Sequence, residues 1–225
     1  MPPTEQMVAP ALRLAPSSRD THTPETYRQI YVGLELPDGV RPIVIGVTSA
    51  ISGEGRTTIA VGLARTLAAD LDVPVMLAEV DFERPSLAPY FGVPPAPGLC
   101  DVLRDDTELD EVRHVVSPNL SVVTTGSAGQ DAARLMRHLP IRDPFHGPRG
   151  PQGVVILDLP PIINHSYSPL AASVADAIVL VVRSGVTPHG VVHEAIERLG
   201  DRPPQGVVLN GVRTSLPRWW PGRGA

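Results

Sequence analysis

The chain contains no lysine, and all 19 of its basic residues are arginine. This skew indicates a coding bias toward arginine, so an arginine at a position where lysine is usual does not by itself mean lost function. The 24 acidic residues give a formal net charge of −5, which argues against a broad nucleic-acid-binding surface. We therefore expect no nucleic-acid partner.

Cysteine and long apolar runs are also scarce. The single cysteine, Cys100, excludes an internal disulfide. No apolar run reaches the roughly 18 residues of a membrane-spanning helix, and the first stretch, MPPTEQMVAPALRLAPSSRD, lacks the layout of a secretion signal. We therefore expect a cytoplasmic protein without a membrane span. With 225 residues, 42% of them hydrophobic, the chain is long enough for one α/β domain.

Apolar runs alternate with amphipathic segments along most of the chain. Helices are predicted from Thr23, over Thr57–Ala69 and over His189–Leu199. Continuous apolar runs predict buried strands at Ile43–Val47, Val75–Val80, Leu120–Thr124, Gly153–Leu157, Ala177–Val182 and Gly206–Asn210. Buried strands separated by helices predict a doubly wound, mostly parallel α/β sheet. We predict a flexible tail over residues 1–22, a nucleotide-binding domain over 23–212 and a C-terminal tail over 213–225.

The stretch SAISGEGRTT, residues 49–58, follows a predicted strand and opens a predicted helix, which is the context of a phosphate-binding loop. Gly53 and Gly55 allow backbone N–H groups to converge on phosphate oxygens, and the helix N-terminus adds a favourable dipole. Thr57 is a candidate to bind Mg²⁺ through its hydroxyl. Arg56 stands where lysine is usual and keeps the positive charge, but its planar fork is not equivalent to an ammonium. A tight strand-to-helix turn that binds nothing is the alternative.

Two acidic motifs strengthen the prediction of a nucleotide site. The run VMLAEVDFERP places Glu79 and Asp81 at the carboxyl end of a strand, on the same side of an extended chain. These carboxylates are candidates to support Mg²⁺ or to orient an acceptor hydroxyl, and a solvated pair is the alternative. The run VVILDLPP ends a buried strand with Asp158, which is a second metal support or only the cap of a turn.

These motifs together resemble the cytoplasmic domain of bacterial tyrosine kinases of capsule and exopolysaccharide synthesis, within the MinD/ParA-like group of phosphate-loop proteins. The resemblance runs from about Glu25 to Val212. It rests on SGEGRTT, AEVDFERPSL, FGVPPAPGLCDVL, VVILDLPPI, VVRSGVT and GVVLNGV. The FGVP…GLCDVL segment separates this family from the partitioning ATPases. The resemblance implies transfer of the γ-phosphoryl group of ATP to a tyrosine hydroxyl, with Mg²⁺ as cofactor.

The resemblance also implies roles for individual residues. The loop residues Ser52, Gly53, Glu54, Gly55, Arg56, Thr57 and Thr58 would bind ATP. Thr57, Asp81 and Asp158 would hold the metal. Arg56 and one of Glu79 or Asp81 would act in catalysis. Asn210 would lie near the nucleotide base, and a simple turn residue is the alternative at that position.

Partners follow from the same resemblance. It implies a membrane-spanning polysaccharide co-polymerase that activates the chain and recruits it to the inner face of the membrane. It also implies a homo-oligomer. The assembly motif Glu-x-x-Arg-x-x-Arg of the family reads Glu25, Arg28 and Tyr31 here, so its last arginine is missing.

Other departures concern the loop and the phosphate acceptor. Arg56 replaces lysine, and Glu79 replaces aspartate. The family usually ends in a tyrosine cluster, whereas the four tyrosines here are at positions 27, 31, 90 and 167. The tail carries Trp219-Trp220 instead, so autophosphorylation at the C-terminus is excluded.

Two other functions stay open. The first is a nucleotide-binding regulator without catalytic activity, which the altered loop and the missing tail tyrosines favour. The second is a MinD/ParA-type ATPase that dimerises around ATP. That group commonly carries an extra lysine early in its loop, where this chain has Ile51.

Overall fold

The computed structural model describes residues 11–13, 24–34, 42–147 and 150–212. The strands in these ranges are β1 (Ala11–Arg13), β2 (Ile43–Ser49), β3 (Val75–Glu79), β4 (Arg113–Ser117), β5 (Leu120–Val123), β6 (Val154–Asp158), β7 (Ala177–Arg183) and β8 (Gly206–Asn210). The α-helices are α1 (Pro24–Val32), α2 (Arg56–Asp70), α3 (Leu87–Phe91), α4 (Leu99–Leu103), α5 (Ala132–Arg142), α6 (Ser168–Ala172) and α7 (His189–Leu199). Short 3₁₀ helices span Leu109–Val112 and Gly129–Asp131.

The strands form one sheet in the order β1-β8-β7-β2-β6-β3-β5-β4. The β4–β5 pair is antiparallel, and the other neighbouring pairs are parallel. Strand β2 lies between β6 and β7. The chain segments before and after β2 lead to opposite halves of the sheet, so the strand order reverses at β2. In open parallel sheets, ligands bind beyond the carboxyl end of a strand at such a switch point.

Side chains of each central strand alternate between two hydrophobic cores, one on each face of the sheet. On β2, Ile45 and Val47 join the core under helices α1 to α3, whereas Val44 joins the core under α4 to α7. Burial on both faces explains why the strand sequences are continuously apolar. The predicted doubly wound, mostly parallel α/β sheet is confirmed.

The predicted strands and helices are all present, with ends that differ by no more than two residues. Six strands and α-helices were not predicted, namely β1, β4, α3, α4, α5 and α6, and neither were the two 3₁₀ helices. Strand β1 pairs with β8 and lies within the segment that we expected to be a flexible tail. The rest of that tail and the C-terminal segment with Trp219-Trp220 lie outside the described residues.

Helix α1 packs against α2 through Tyr27, whose ring lies directly over Gly62. A Cβ atom added to Gly62 would lie 1.9 Å from Cζ of Tyr27. Glycine in a helix interior costs about 1 kcal/mol relative to alanine. Gly62 therefore lowers the helix propensity of α2 but leaves room for the Tyr27 ring. Burial raises the pKa of Tyr27 to about 12, and the phenol therefore stays uncharged in its apolar site.

We expect Gly62→Ala to lower the free energy of unfolding by about 1–3 kcal/mol, because overpacking against Tyr27 outweighs the better helix propensity. Gly190 in α7 serves as the matched control, because a Cβ atom added there would have no neighbour within 4 Å. Gly190→Ala should be neutral or stabilising by up to about 1 kcal/mol. Urea unfolding followed by circular dichroism checks both variants, and equal effects would contradict the packing argument.

Candidate nucleotide-binding site

The segment between β2 and α2 turns sharply at the carboxyl edge of the sheet. Gly53 and Gly55 have φ angles of 85° and 90°, in the left-handed region that favours glycine. A Cβ atom on Gly55 would lie 2.1 Å from Nδ2 of Asn210, so a larger residue does not fit there. Thr58 is exposed in the first turn of α2. The backbone therefore has the form that a phosphate-binding loop requires, at the N-terminus of a long helix.

Glu54 holds this loop from the inside, and its side chain is buried. Its Oε2 accepts a hydrogen bond from the Ile51 N–H at 2.8 Å. Its Oε1 accepts from the Arg183 N–H at 3.0 Å and from the hydroxyl of Thr187. The Glu54 carbonyl in turn accepts from Nδ2 of Asn210 at 2.8 Å. The Glu54 side chain therefore anchors the loop to the end of β7, which leaves its backbone for the predicted part in ATP binding.

Two further side chains contact the loop and were not predicted as site residues. Arg183 Nη1 donates to the Gly53 carbonyl at 3.0 Å, and Asn164 Oδ1 accepts from the Ser52 N–H at 3.1 Å. Both residues follow or end buried strands at this sheet edge, which is the one sequence signal that could have indicated them. Asn210, predicted to lie near a base, is placed against the loop backbone.

Four predicted residues from three motifs meet beneath the loop. Arg56 Nη2 lies 2.7 Å from Oδ2 of Asp81, and Arg56 Nε lies 3.2 Å from Oδ1 of Asp158. The Thr57 hydroxyl donates to Oδ2 of Asp158 at 2.6 Å. The side chains of Asp81 and Asp158 are only 2% and 1% exposed, so Arg56 is the counter-charge of two buried carboxylates.

Among the buried polar atoms of this cluster, Arg56 Nη1 has no hydrogen-bond partner, and Arg56 Nε and Asp158 Oδ1 contact each other at 3.2 Å only as an ion pair without hydrogen-bond geometry. Buried polar groups are normally satisfied, so these atoms indicate a place for a ligand. A guanidinium suits phosphate oxygens, and two carboxylates with a threonine hydroxyl form the hard oxygen donor set that Mg²⁺ prefers. Burial raises the pKa of Asp158, and Arg56 and Thr57 partly offset that rise. The residues therefore fit a nucleotide phosphate together with Mg²⁺.

Glu79 and Asp81 lie in different environments although they are two residues apart. Glu79 is fully buried, and its Oε1 accepts hydrogen bonds from the N–H groups of Ser86 and Leu87 at the start of α3. Its Oε2 is buried without a partner, and burial raises the pKa of Glu79. Glu79, predicted as a catalytic candidate, therefore caps α3, and Asp81 is the residue of the pair that faces the loop.

A cavity of about 290 Å³ opens beside Asp81, between the loop after β3, helix α5 and the loop after β6. Phe82, Met136 and Tyr167 give it apolar walls, and Asn164 lines it as well. The cavity thus combines apolar and polar walls beside Asp81, the residue of the acidic pair that faces the loop.

No model of a known protein family matches the chain. Among curated proteins, it is similar to tyrosine-protein kinase YwqD of Bacillus subtilis, at 28% identity over 195 residues, which are 85% of this chain and 82% of YwqD. It is 26% identical to EpsB of Ralstonia nicotianae over 87% of this chain, but it spans only 26% of the length of EpsB.

Solved structures share the fold. The chimerical protein CapA2B2 aligns with a TM-score of 0.74 at 21% identity, covering 92% of this chain and 96% of that chain. The kinase domain of the Escherichia coli tyrosine kinase Etk aligns at 0.69 and 23% identity, covering 86% and 78%. MinD of Pyrococcus horikoshii, solved with Mg-ADP, aligns at 0.61 and 19% identity, covering 74% and 69%. The predicted resemblance to bacterial tyrosine-kinase domains is confirmed, as is the wider likeness to MinD.

The charge balance beneath the loop yields a stability prediction. Arg56→Met removes the counter-charge of two buried carboxylates and should lower the free energy of unfolding by about 3–5 kcal/mol without added Mg²⁺. Millimolar Mg²⁺ should raise the Tm of this variant more than that of the wild type, because the ion supplies the missing charge. Thermal unfolding with and without Mg²⁺ measures both effects.

Arg134→Met is the control, because Arg134 is exposed on α5 and its ion pair with Asp131 is a surface pair at 3.6 Å. It should change neither the stability nor the response to Mg²⁺ appreciably. If Arg56→Met behaves like this control, Arg56 does not neutralise the carboxylates in solution.

Proposed function

Because the chain resembles bacterial tyrosine-kinase domains in sequence and fold, we propose that it binds Mg·ATP and transfers the γ-phosphoryl group to a tyrosine hydroxyl in capsule or exopolysaccharide synthesis. One observation carries the proposal: Arg56, Thr57, Asp81 and Asp158 converge beneath a glycine loop at the carboxyl edge of a parallel sheet. Burial of two carboxylates and one arginine with unpaired polar atoms costs free energy, and a turn that binds no ligand gains nothing that offsets this cost.

Each residue has a distinct part in ATP binding. The backbone of Ser52 to Gly55 would surround the phosphates, and Arg56 would bind their oxygens first through Nη1, which has no partner in the cluster. Thr57, Asp158 and Asp81 would hold Mg²⁺, which when bound neutralises charge on the phosphates. The ion pairs of Arg56 must loosen when these ligands enter, because the same carboxylates cannot serve both cations fully.

Asp81 acts on the acceptor side of the site. Asp81 lies beneath the loop and also lines the adjoining cavity, so a phenol that enters the cavity would bring its hydroxyl toward Asp81. There Asp81 accepts a hydrogen bond from the hydroxyl, orients it for attack and takes up its proton. Glu79 has no such part in this proposal, since its carboxyl is buried under α3.

Calorimetric titration with ATP tests the nucleotide site. We expect Mg²⁺-dependent binding by the wild type, and weakening by at least about tenfold in Asp158→Asn, because a metal support loses its charge. Asp110→Asn, at an exposed position, is the control and should bind as the wild type does. A folded wild-type protein that fails to bind millimolar ATP would rule out a working loop.

Phosphoryl transfer to a random glutamate–tyrosine copolymer separates the two acidic candidates. Asp81→Asn should lower the rate by about 100-fold or more, as expected for loss of an orienting base. Glu79→Gln keeps an acceptor oxygen for α3 and should lower the rate by less than about tenfold. The reverse ranking of the two variants would assign the acceptor role to Glu79.

A second candidate is a nucleotide-binding regulator that transfers no phosphate. The pairing of Arg56 with buried carboxylates favours it, and ATP binding without copolymer phosphorylation would support it. A MinD/ParA-type ATPase is the third, supported by the fold shared with MinD. ATP-dependent dimers that hydrolyse ATP without modifying tyrosine would identify that class.

The proposal also includes a membrane-spanning partner that recruits and activates the chain. No helix in the described ranges is long and apolar enough to cross a bilayer. Assembly with other copies is proposed as well, although Arg28 of the assembly motif is already engaged within the chain. Its Nε and Nη2 donate to the Asp70 carboxylate at 2.5 and 2.8 Å.

A further inference from the structure

The four tyrosines differ sharply in accessibility, and all of them lie in the described ranges. Tyr27 belongs to the core under α1 to α3, and Tyr31 packs against that core. Tyr167 packs against the other core and lies beside Arg137. Tyr90 belongs to neither core and is 53% exposed. A phosphoryl-transfer site on another molecule could therefore reach the Tyr90 hydroxyl without local unfolding.

The surroundings of Tyr90 are exposed as well. Tyr90 lies near the end of the short helix α3, and Gly92, with a φ of 66°, follows the last residue of that helix. Seven of the nine residues from 89 to 97 are exposed, so the chain on both sides of the tyrosine is open to a partner surface. An acceptor must enter the cavity beside Asp81 of another copy, and an exposed segment suits this entry better than a core tyrosine.

A cation is already positioned beside the Tyr90 hydroxyl. Arg65 Nη1 lies 3.4 Å from the hydroxyl oxygen, and its guanidinium stands 5.3 Å from the ring centroids of Tyr90 and Phe91. Arg65 is exposed and has no carboxylate partner within ion-pair distance among the described residues. A phosphate on Tyr90 would therefore meet a guanidinium, the cation best suited to bind it.

We propose that Tyr90 is the phosphate acceptor of this chain, modified by a second copy, and that Arg65 then binds the phosphotyrosine. The inference rests on the proposed kinase function and names an acceptor within the described residues. In the step, the Tyr90 oxygen attacks the γ-phosphorus of ATP, and the bond to the β,γ-bridging oxygen breaks. ADP leaves, and the hydroxyl proton passes to Asp81 of the copy that holds ATP.

The test uses a size-tagged full chain carrying Asp158→Asn as acceptor, mixed with wild-type chain, ATP and Mg²⁺. Peptide mass mapping of the tagged copy should place the phosphate on Tyr90. Adding Tyr90→Phe to the tagged copy should abolish this phosphate, whereas Tyr31→Phe should leave it unchanged. The untagged chain with Tyr90→Phe as its only change should still phosphorylate the glutamate–tyrosine copolymer, because Tyr90 is not part of the phosphoryl-transfer site of its own chain.

Two results separate failure of this inference from failure of the kinase proposal. If the wild type modifies the copolymer but leaves Tyr90 of the tagged copy unmodified, Tyr90 is not the acceptor. If the wild type modifies neither, the kinase proposal is overturned, and this inference is overturned with it.

The role of Arg65 has its own readout. Phosphorus NMR of the modified protein should show the second pKa of the phosphotyrosine below its usual value of about 6, because Arg65 stabilises the dianion. Arg65→Gln should return that pKa to its usual value. A pKa that this substitution leaves unchanged would overturn the pairing.

Discussion

The ion pairs of Arg56 hold together three parts of the sheet edge that lie far apart in the sequence. Its guanidinium reaches Asp81 after β3 and Asp158 at the end of β6, while its backbone begins α2. Two carboxylates buried at this depth would repel each other without a cation between them. The position of the loop relative to β3 and β6 therefore depends on this side chain, whereas Glu54 anchors the loop to the end of β7.

The register of the sheet decides which acidic residue joins Arg56. Strands β3 and β6 pair so that Glu79 lies opposite Asp158, and the nearby charge of Asp158 contributes to the raised pKa of Glu79 after burial itself. Glu79 therefore meets the N–H groups at the start of α3 rather than a second anion. Asp81 lies beyond the paired part of the strand, where the chain can turn its carboxylate toward the loop. The carboxyl of Glu79 is therefore structural, whereas the carboxylate of Asp81, only two residues later, belongs to the site.

The sequence predicts the central sheet well because its strands are buried on both faces and so read as continuous apolar runs. Strand β4 has no such run, since its residues alternate between exposed and half-buried at the sheet edge, and α5 contains Pro140, which weakens a helix prediction. The sequence predicts the site carboxylates Asp81 and Asp158 because each stands at or just after the end of a buried strand. The sequence does not predict the anchoring role of Glu54, because its partner Arg183 lies 129 residues away and only the folded sheet brings the two together.

The replacement of lysine by arginine has a physical consequence beyond the retained charge. A planar guanidinium can present separate N–H groups to two carboxylates at once, whereas an ammonium is a compact point charge. Arg56 therefore bridges Asp81 and Asp158, and the bridge stabilises the same arrangement that a metal and a phosphate would use. In the proposed binding of Mg·ATP, Asp81 and Asp158 would exchange Arg56 for the metal ion, and Arg56 would turn to the phosphate oxygens. Because both replacements are needed to leave no buried charge unpaired, nucleotide and metal should bind this site together more readily than either does alone.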